Sequence, residues 1–332
     1  MQNLSQFASA LYHNKAMNYN GVSGQDAMRK LFYEKMGVPV GTKGRELYTA
    51  FQTHKYEMYA LIAQVVDGVL PGVIKSDYLP LANIEVSAHG DKPVFTVRNK
   101  ELFQVAVIAS GTKDLRRQTR VDSQFTIDTD WIGVAVYAEF EQFLIGMTDF
   151  AGLVDAAIES LEVYIGERVI EAIVNSYDSV RTKLKHTGSG SFDIEQLVTL
   201  ARHVKAQSRS TRISVYGTAS ALGQLAGASL DKSDRMKDEL AELGYLKTIR
   251  GLDFYVLPDV YKFGTEEFAV NDKTLLIVPG DDKIVNIALE GDALAIEGES
   301  KDNNGLQLDF VIQKKVGVQV NKAKVYGFYK LS

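Results

Sequence analysis

The sequence predicts an α+β chain, and three stretches carry that prediction. Val134, Val136, Ala138 and Phe140 alternate with Ala135, Tyr137, Glu139 and Glu141, a strand pattern that runs into a long apolar-striped helix opened by Thr148 and Asp149. Short strands and helices then alternate through residues 206–282, as in a compact α/β unit. Residues 283–332 are almost wholly β-like, cut by Gly, Asp and Asn turns.

On the long helix Leu153, Val154, Ala157, Ile158, Leu161, Ile165, Val169, Ala172 and Ile173 recur at i, i+3 and i+4, while Asp155, Glu159, Glu162, Glu167 and Glu171 take other positions. One face is apolar and the other acidic. Carried to Ser179 it would hold roughly 30 residues and span about 45 Å at 1.5 Å per residue. A rod of that length suits an assembly.

The chain up to about residue 70 reads as helices with polar joints. Leu4, Phe7, Ala8, Leu11 and Tyr12 form one stripe; Met28, Leu31, Phe32 and Met36 form another, ended by Gly37 and Pro39. A third starts at Arg45, carries Leu47, Tyr48, Phe51, Tyr56, Tyr59, Ala60, Ala63 and Val66, and is expected to stop near Gly68 and Pro71. With little to bury against one another, these helices are expected to pack on a neighbouring subunit. Residues 84–129 then turn to short β-like runs, at 94–97, 105–109 and 123–127, around the polar stretch 113–120. A two-stranded excursion does not stabilise itself in water, so it reads as a protruding arm with a basic tip of Lys113, Arg116, Arg117 and Arg120.

After the long helix, the Gly/Ser-rich stretch 187–191 reads as a loop and 192–205 as an amphipathic helix. Residues 213–216 read as a strand entering a small-residue helix at 218–225. A further helix over 232–243 is closed by Gly244, and strands follow at 254–257, 275–278, 284–289, 294–297, 306–320 and 323–329.

Composition narrows the function. The 332 residues carry 37 Lys and Arg against 42 Asp and Glu, without the basic excess that binding many phosphates requires. Cysteine is absent, which excludes disulfides, thiolate nucleophiles and Cys-based zinc sites. Residues 1–12 show no basic segment followed by an apolar run, and the greasiest window, 59–74, is interrupted by Gln64, Asp67 and Pro71. A soluble protein folding in a cytosol is expected.

Searches for chemistry return ordinary readings. No phosphate-binding Gly-Lys-Ser/Thr pattern occurs, and Gly217, Gly223 and Gly227 suit close helix packing better than a dinucleotide. His13, His54, His89, His186 and His203 have no metal-site spacing. Asp122, Asp128 and Asp130 fit a divalent cation or, better, solvated strand-end carboxylates; Glu139 and Glu141 share a face but lack an opposing pocket. Ser220 has no identifiable His and Asp partners. No catalytic, cofactor-binding or metal residue is assigned. Arg202, Lys205, Arg209 and Arg212 form a second basic group that solvates a helix end or meets DNA.

The collinear order of these parts resembles the Hong Kong 97-type fold of tailed-bacteriophage major capsid proteins over nearly the whole chain. The local wording fits too: Ile213, Ser214, Val215, Tyr216, Gly217, Thr218, Ala219 and Ser220 resemble that family's axial strand and helix, and Gly251, Leu252, Asp253, Phe254, Tyr255, Val256, Leu257 and Pro258 its glycine, hydrophobic strand and loop proline. Phe310, Lys314, Lys315, Val316, Gly317, Val318, Gln319, Tyr326 and Leu331 resemble the final strands returning to the peripheral domain. The resemblance implies an N-terminal arm over 1–83, an extended β loop over 84–130, a peripheral domain with its spine helix over 131–205, an axial domain over 206–282, and returning strands over 283–332.

The function so implied is structural, not enzymatic: a major capsid protein assembling as hexamers and pentamers into an icosahedral shell around double-stranded DNA, in the host cytoplasm. Portal and scaffolding proteins, decoration proteins and weakly held DNA are the implied partners. The basic tip is expected to lie over a neighbour's acidic helix face at Glu159, Glu162, Glu167 and Glu171. Covalent joining of subunits through Lys92, Lys100 or Lys113 and Asn303, Asn304 or Asn321 is not carried over, because no motif aligns them. An encapsulin nanocompartment and an α/β enzyme stand as alternatives.

Overall fold

The structure, a computed structural model, describes residues 24–78, 81–97, 102–107, 117–139, 150–180, 184–227, 234–259, 261–262, 264–280, 282–298 and 307–332. The first stripe, the Thr148 and Asp149 helix start, Lys113, Arg116, Lys100, His13, Asn303 and Asn304 lie outside them.

Helix α1 (Gly24–Lys35) ends in a turn at Gly37, and α2 (Arg45–Tyr78) follows as a 34-residue helix. The expected stop at Pro71 does not occur. A proline inside a helix costs about 3 kcal/mol. Val65, Val66, Val69, Leu70, Ile74 and Tyr78 are all buried around it, and each buried side chain of this size returns about 1.5–3 kcal/mol. Tertiary burial therefore carries the helix through. Within its own chain α2 packs on the strand at Val285–Glu297 and the helix at Phe150–Asn175.

Strands β1 (Ala82–Ser87), β10 (Val285–Glu297), β11 (Gln307–Val320) and β4 (Asp130–Glu139) form a four-stranded sheet in the order β1-β10-β11-β4. β1 is parallel to β10, and the other two pairings are antiparallel. Because β1 belongs to this sheet, the protruding β excursion begins only after Ser87. It contains the separate two-stranded pairing of β2 (Val94–Val97) with β3 (Ser123–Thr126). Of the strand expected over 105–109, residues 105–107 have no ladder partner among the described residues.

Helix α3 (Phe150–Asn175), followed by a 3-10 turn at Ser176–Ser179, is the spine that joins the layers. Val154, Ala157, Ile158, Leu161, Ile165, Val169 and Ile173 are buried, as their spacing required. They pack on β4, β11 and α2, and the C-terminal part of the helix reaches Tyr216, Leu276 and Phe328 of the second sheet across a small apolar cavity of about 150 Å³.

That six-stranded sheet runs β5-β12-β9-β6-β8-β7, built from Lys185–Gly188, Gly327–Leu331, Thr274–Pro279, Ile213–Gly217, Leu252–Val256 and Thr248–Ile249 respectively. α4 (Ile194–Ser208), N-capped by Asp193, packs against it; α5 (Ala219–Gly227) and α6 (Asp234–Leu243) complete the unit. β6 is buried along its whole length. Between β7 and β8, Arg250 and Gly251 both have positive φ, 52° and 80°, the geometry of a tight two-residue hairpin. A Cβ on Gly217 would meet Leu275 Cδ2 at 2.5 Å, so the close-packing reading of that glycine holds. The last strand does not accompany β10 and β11: β12 lies between β5 and β9 in the second sheet.

Candidate assembly interface

A densely bonded place among the described residues is a bulge in β10, where its register against β11 shifts between Glu290 and Leu294. A bulge re-aims backbone and side chains, and here it gathers four elements. Glu290 accepts the hydroxyl of Thr129, the ammonium of Lys315 at 2.9 Å and the N–H of Gly90 at 3.0 Å. These three donors hold its carboxyl down at about 2, well below the usual carboxylate range. Thr129 and Gly90 stand on the returning and outgoing arms of the β excursion, so one carboxylate ties down both.

On the opposite face, Lys314 donates to Asp67 of α2 at 2.5 Å and to the Gly291 carbonyl at 2.6 Å, and Asp67 accepts the Ala293 N–H at 2.9 Å. Adjacent strand residues point to opposite faces, so Lys314 serves α2 while Lys315 serves the excursion. Lys315 also stands opposite both Glu290 and Trp131 in the ladder, with its ammonium 5.4 Å from the Trp131 ring centre. His89 meets the same indole edge-on at 5.4 Å.

Apolar contacts complete the anchor. Phe95 and Ile127 are buried against Ala288, and Phe95 stacks on Phe125 at 5.7 Å. The arm crosses β11 at Gly317, where a Cβ would meet the Asp128 carbonyl at 2.5 Å and Ile127 Cγ2 at 2.8 Å. Lys92 pairs with Asp128 at 2.6 Å, holding that carboxyl below its ordinary range.

Beyond the anchor the excursion changes character. Leu102, Phe103, Val105 and Val107 are exposed, Val105 at 97% and Val107 at 104% of their reference areas. The facing arm is polar: Gln118 bonds both the N–H and the C=O of Gln104 at 2.8 Å. The arm is thus firmly rooted and apolar where it has nothing of its own to cover it.

The sequence matches, over residues 25–330, the family model described as "SPbeta prophage-derived putative capsid protein YonB". The chain belongs to the YonB phage capsid family. Solved capsids share its fold. The mature capsid of bacteriophage PhiM1 superposes with a TM-score of 0.53 at 11% identity, covering 77% of this chain and 86% of that one. The satellite phage P4 procapsid including size determination (Sid) protein gives 0.52 at 11% identity, covering 79% and 90%. Gordonia phage Cozz gives 0.50 at 13% identity, covering 78% and 86%. No curated protein matches the sequence.

In this capsid protein Arg117 and Arg120 are exposed on the returning arm, and Glu159 and Glu171 are exposed on α3, with Glu162 and Glu167 half-buried. Arg168 lies 3.7 Å from Glu171 and 4.0 Å from Asp130, so the acidic face carries its own cation. Arg202, Lys205, Arg209 and Arg212 are all exposed on α4 and the turn after it. Among the described residues no three His, Cys, Asp or Glu side chains gather as metal ligands. Asp128 instead serves Lys92. Ser220 is exposed on the first turn of α5. Asn321 is buried and accepts the Ala323 N–H at 3.1 Å. No described helix is long and apolar enough to cross a membrane.

The residues that sequence reasoning missed are Asp67, Gly90, Glu290, Gly291 and Lys314. One signal was available: two consecutive lysines in one strand point to opposite faces, so one of them faces the covered side of the sheet, where it needs an acid.

Proposed function

We propose that this capsid protein is the repeating subunit of an icosahedral phage head, assembling as hexamers and pentamers around double-stranded DNA in the host cytoplasm, with portal and scaffolding proteins as partners. Its work is assembly and containment, without catalysis. The observation that carries the reading is the rooted excursion: a buried anchor of Phe95, Ile127 and Ala288 supports an arm whose Val105 and Val107 are fully exposed. An arm of this build gains its burial from a neighbouring subunit. The basic run of the same arm, in which Arg117 and Arg120 are exposed, then lies over the acidic face of a neighbour's α3 at Glu159, Glu162, Glu167 and Glu171. Single exposed ion pairs contribute only about 0–1 kcal/mol, so such contacts set register through many copies. The exposed Arg202, Lys205, Arg209 and Arg212 give DNA a weak, sequence-independent contact.

Negative-stain electron microscopy with size-exclusion chromatography of the purified chain tests this. Closed shells, tubes or capsomer rings are expected. A small monomer or dimer that persists at high concentration and with scaffold candidates added overturns it.

A further inference from the structure

The C-terminal end of α3 and the second sheet do not close completely on one another, and a cavity of about 150 Å³ stays between them. Its build follows from strand alternation. On β12 Phe328 and Lys330 share a face, as do Leu276 and Thr274 on β9, because alternate strand residues point the same way. The ladder sets Phe328 opposite Leu276 and Lys330 opposite Thr274, and Leu276 also stands opposite Tyr216 of β6. Two layers result. Phe328, Leu276 and Tyr216 are buried and make an apolar floor, whereas Lys330 is exposed and Thr274 half-buried, and they make a polar rim. Ile170, Ile173 and Val174 of α3 stand at i, i+3 and i+4 and supply the facing wall. Ile170 and Ile173 are buried and Val174 is 47% exposed, so that wall runs from the core out to the surface.

Floor and rim ask for different chemistry. The floor is uncharged, since burial pushes the Tyr216 phenol up to about 12. An apolar void of this size in a protein interior excludes water and admits a benzene-sized molecule. Whatever fills it restores dispersion contacts that the lining otherwise forfeits. The rim carries a cation. Lys330 makes no ion pair among the described residues, and its ammonium lies 5.5 Å from the centre of the Tyr177 ring. Lys185, over the same ring, is instead held by Asp178 at 3.7 Å. Asn271 also stands at the rim, with its side-chain oxygen accepting the Lys273 N–H at 3.0 Å, which leaves the amide NH2 as a donor.

We propose that this cavity binds a small amphipathic carboxylate, its single ring or short branched chain on the floor and its carboxylate held at the rim by Lys330, with Thr274 and Asn271. The site is complete within one chain, so it stands whether or not the chain forms shells. An occupant touches α3 and the second sheet at once, ties the spine to that sheet and stabilises the folded chain by linkage. A neutral molecule of the same shape gains the floor without the rim.

Fluorine NMR of para-fluorobenzoate titrated with the purified full chain tests this, with para-fluorobenzyl alcohol as the uncharged probe. A Kd of about 1 mM is expected for the carboxylate, ordinary for so small a ligand. Lys330→Met, at an exposed position, should weaken the carboxylate about fivefold, the upper end for an ion pair at a surface, and leave the alcohol unchanged. Ala269→Leu places a larger side chain at a residue lining the cavity and should abolish binding of both probes, with circular dichroism reporting a folded chain. Where that variant does not fold, Val174→Phe on the exposed end of the α3 wall carries the same readout. No binding of the carboxylate, or an alcohol that binds as tightly, overturns the proposal. So does a Lys330→Met variant that shifts the two affinities equally or not at all. Carboxylate binding that survives the cavity-filling variant places the ligand elsewhere and overturns it too.

Discussion

Removing Asp67 should cost the fold more than removing Lys314, although the two form one ion pair. The side chain of Lys314 is 3% exposed and that of Asp67 is 26% exposed. Asp67→Ala leaves an ammonium buried with only the Gly291 carbonyl for company, and an uncompensated buried charge costs about 3–5 kcal/mol. Lys314→Met leaves a carboxylate that still accepts the Ala293 N–H and reaches water. The main loss is then an unsatisfied Gly291 carbonyl, about 1–3 kcal/mol. The double variant removes both charges and should cost about 2 kcal/mol less than the sum of the singles, within the range for residues in direct contact. Urea unfolding of the unassembled subunit, followed by far-UV circular dichroism, measures all three. Equal costs for the singles, a costlier Lys314→Met, or strict additivity would each refute the burial argument.

Glu290 titrates at about 2 in the folded chain, below the ordinary 4.5, so its contribution is complete above about pH 4.5 and disappears as pH falls toward 2. The difference in thermal midpoint between the native chain and Glu290→Gln should shrink across that window; a difference that stays constant with pH contradicts the assignment. Gly317→Ala should force residues 127–129 off β11 at a cost of about 1–3 kcal/mol, the usual range for overpacking, visible as faster proteolysis at the base of the arm. Unchanged proteolysis removes Gly317 from the anchor. Arg117→Glu with Arg120→Glu should leave thermal unfolding unchanged while lowering shell yield, because both residues are exposed. Normal shells from that variant dismiss the basic side of the arm as an assembly element.

Much of the architecture was legible because local period and burial agree. Of the apolar positions expected on α3, Val154, Ala157, Ile158, Leu161, Ile165, Val169 and Ile173 became buried while Leu153 and Ala172 are half-buried, and the strands at 213–216, 254–257 and 275–278 each fell within one or two residues of β6, β8 and β9. Reading failed where tertiary context overrode a local signal. Pro71 looked like a helix end because its missing N–H is visible in sequence, whereas the buried face that outweighs it is not. Glu290, Gly291 and Asp292 looked like a turn between two strands, yet they form a bulge within one, since β11 continues past them and supplies both lysines. The last strand was assigned to the company of its sequence neighbours, but strand order depends on contacts that close over long loops. The anchor of the arm was hidden for the same reason: Gly90 and Glu290 are 200 residues apart.

The chain contains a single tryptophan, and it stands at this junction. Trp131 has Lys315 beside its ring and His89 against its edge, and it remains 45% exposed on the outer strand of its sheet. Its emission therefore reports two events without any label. Displacement of the arm base changes the charge and the imidazole beside the indole, while arrival of a neighbour removes water from it. Stopped-flow fluorescence of the unmodified protein can thus time the settling of the arm separately from the joining of subunits.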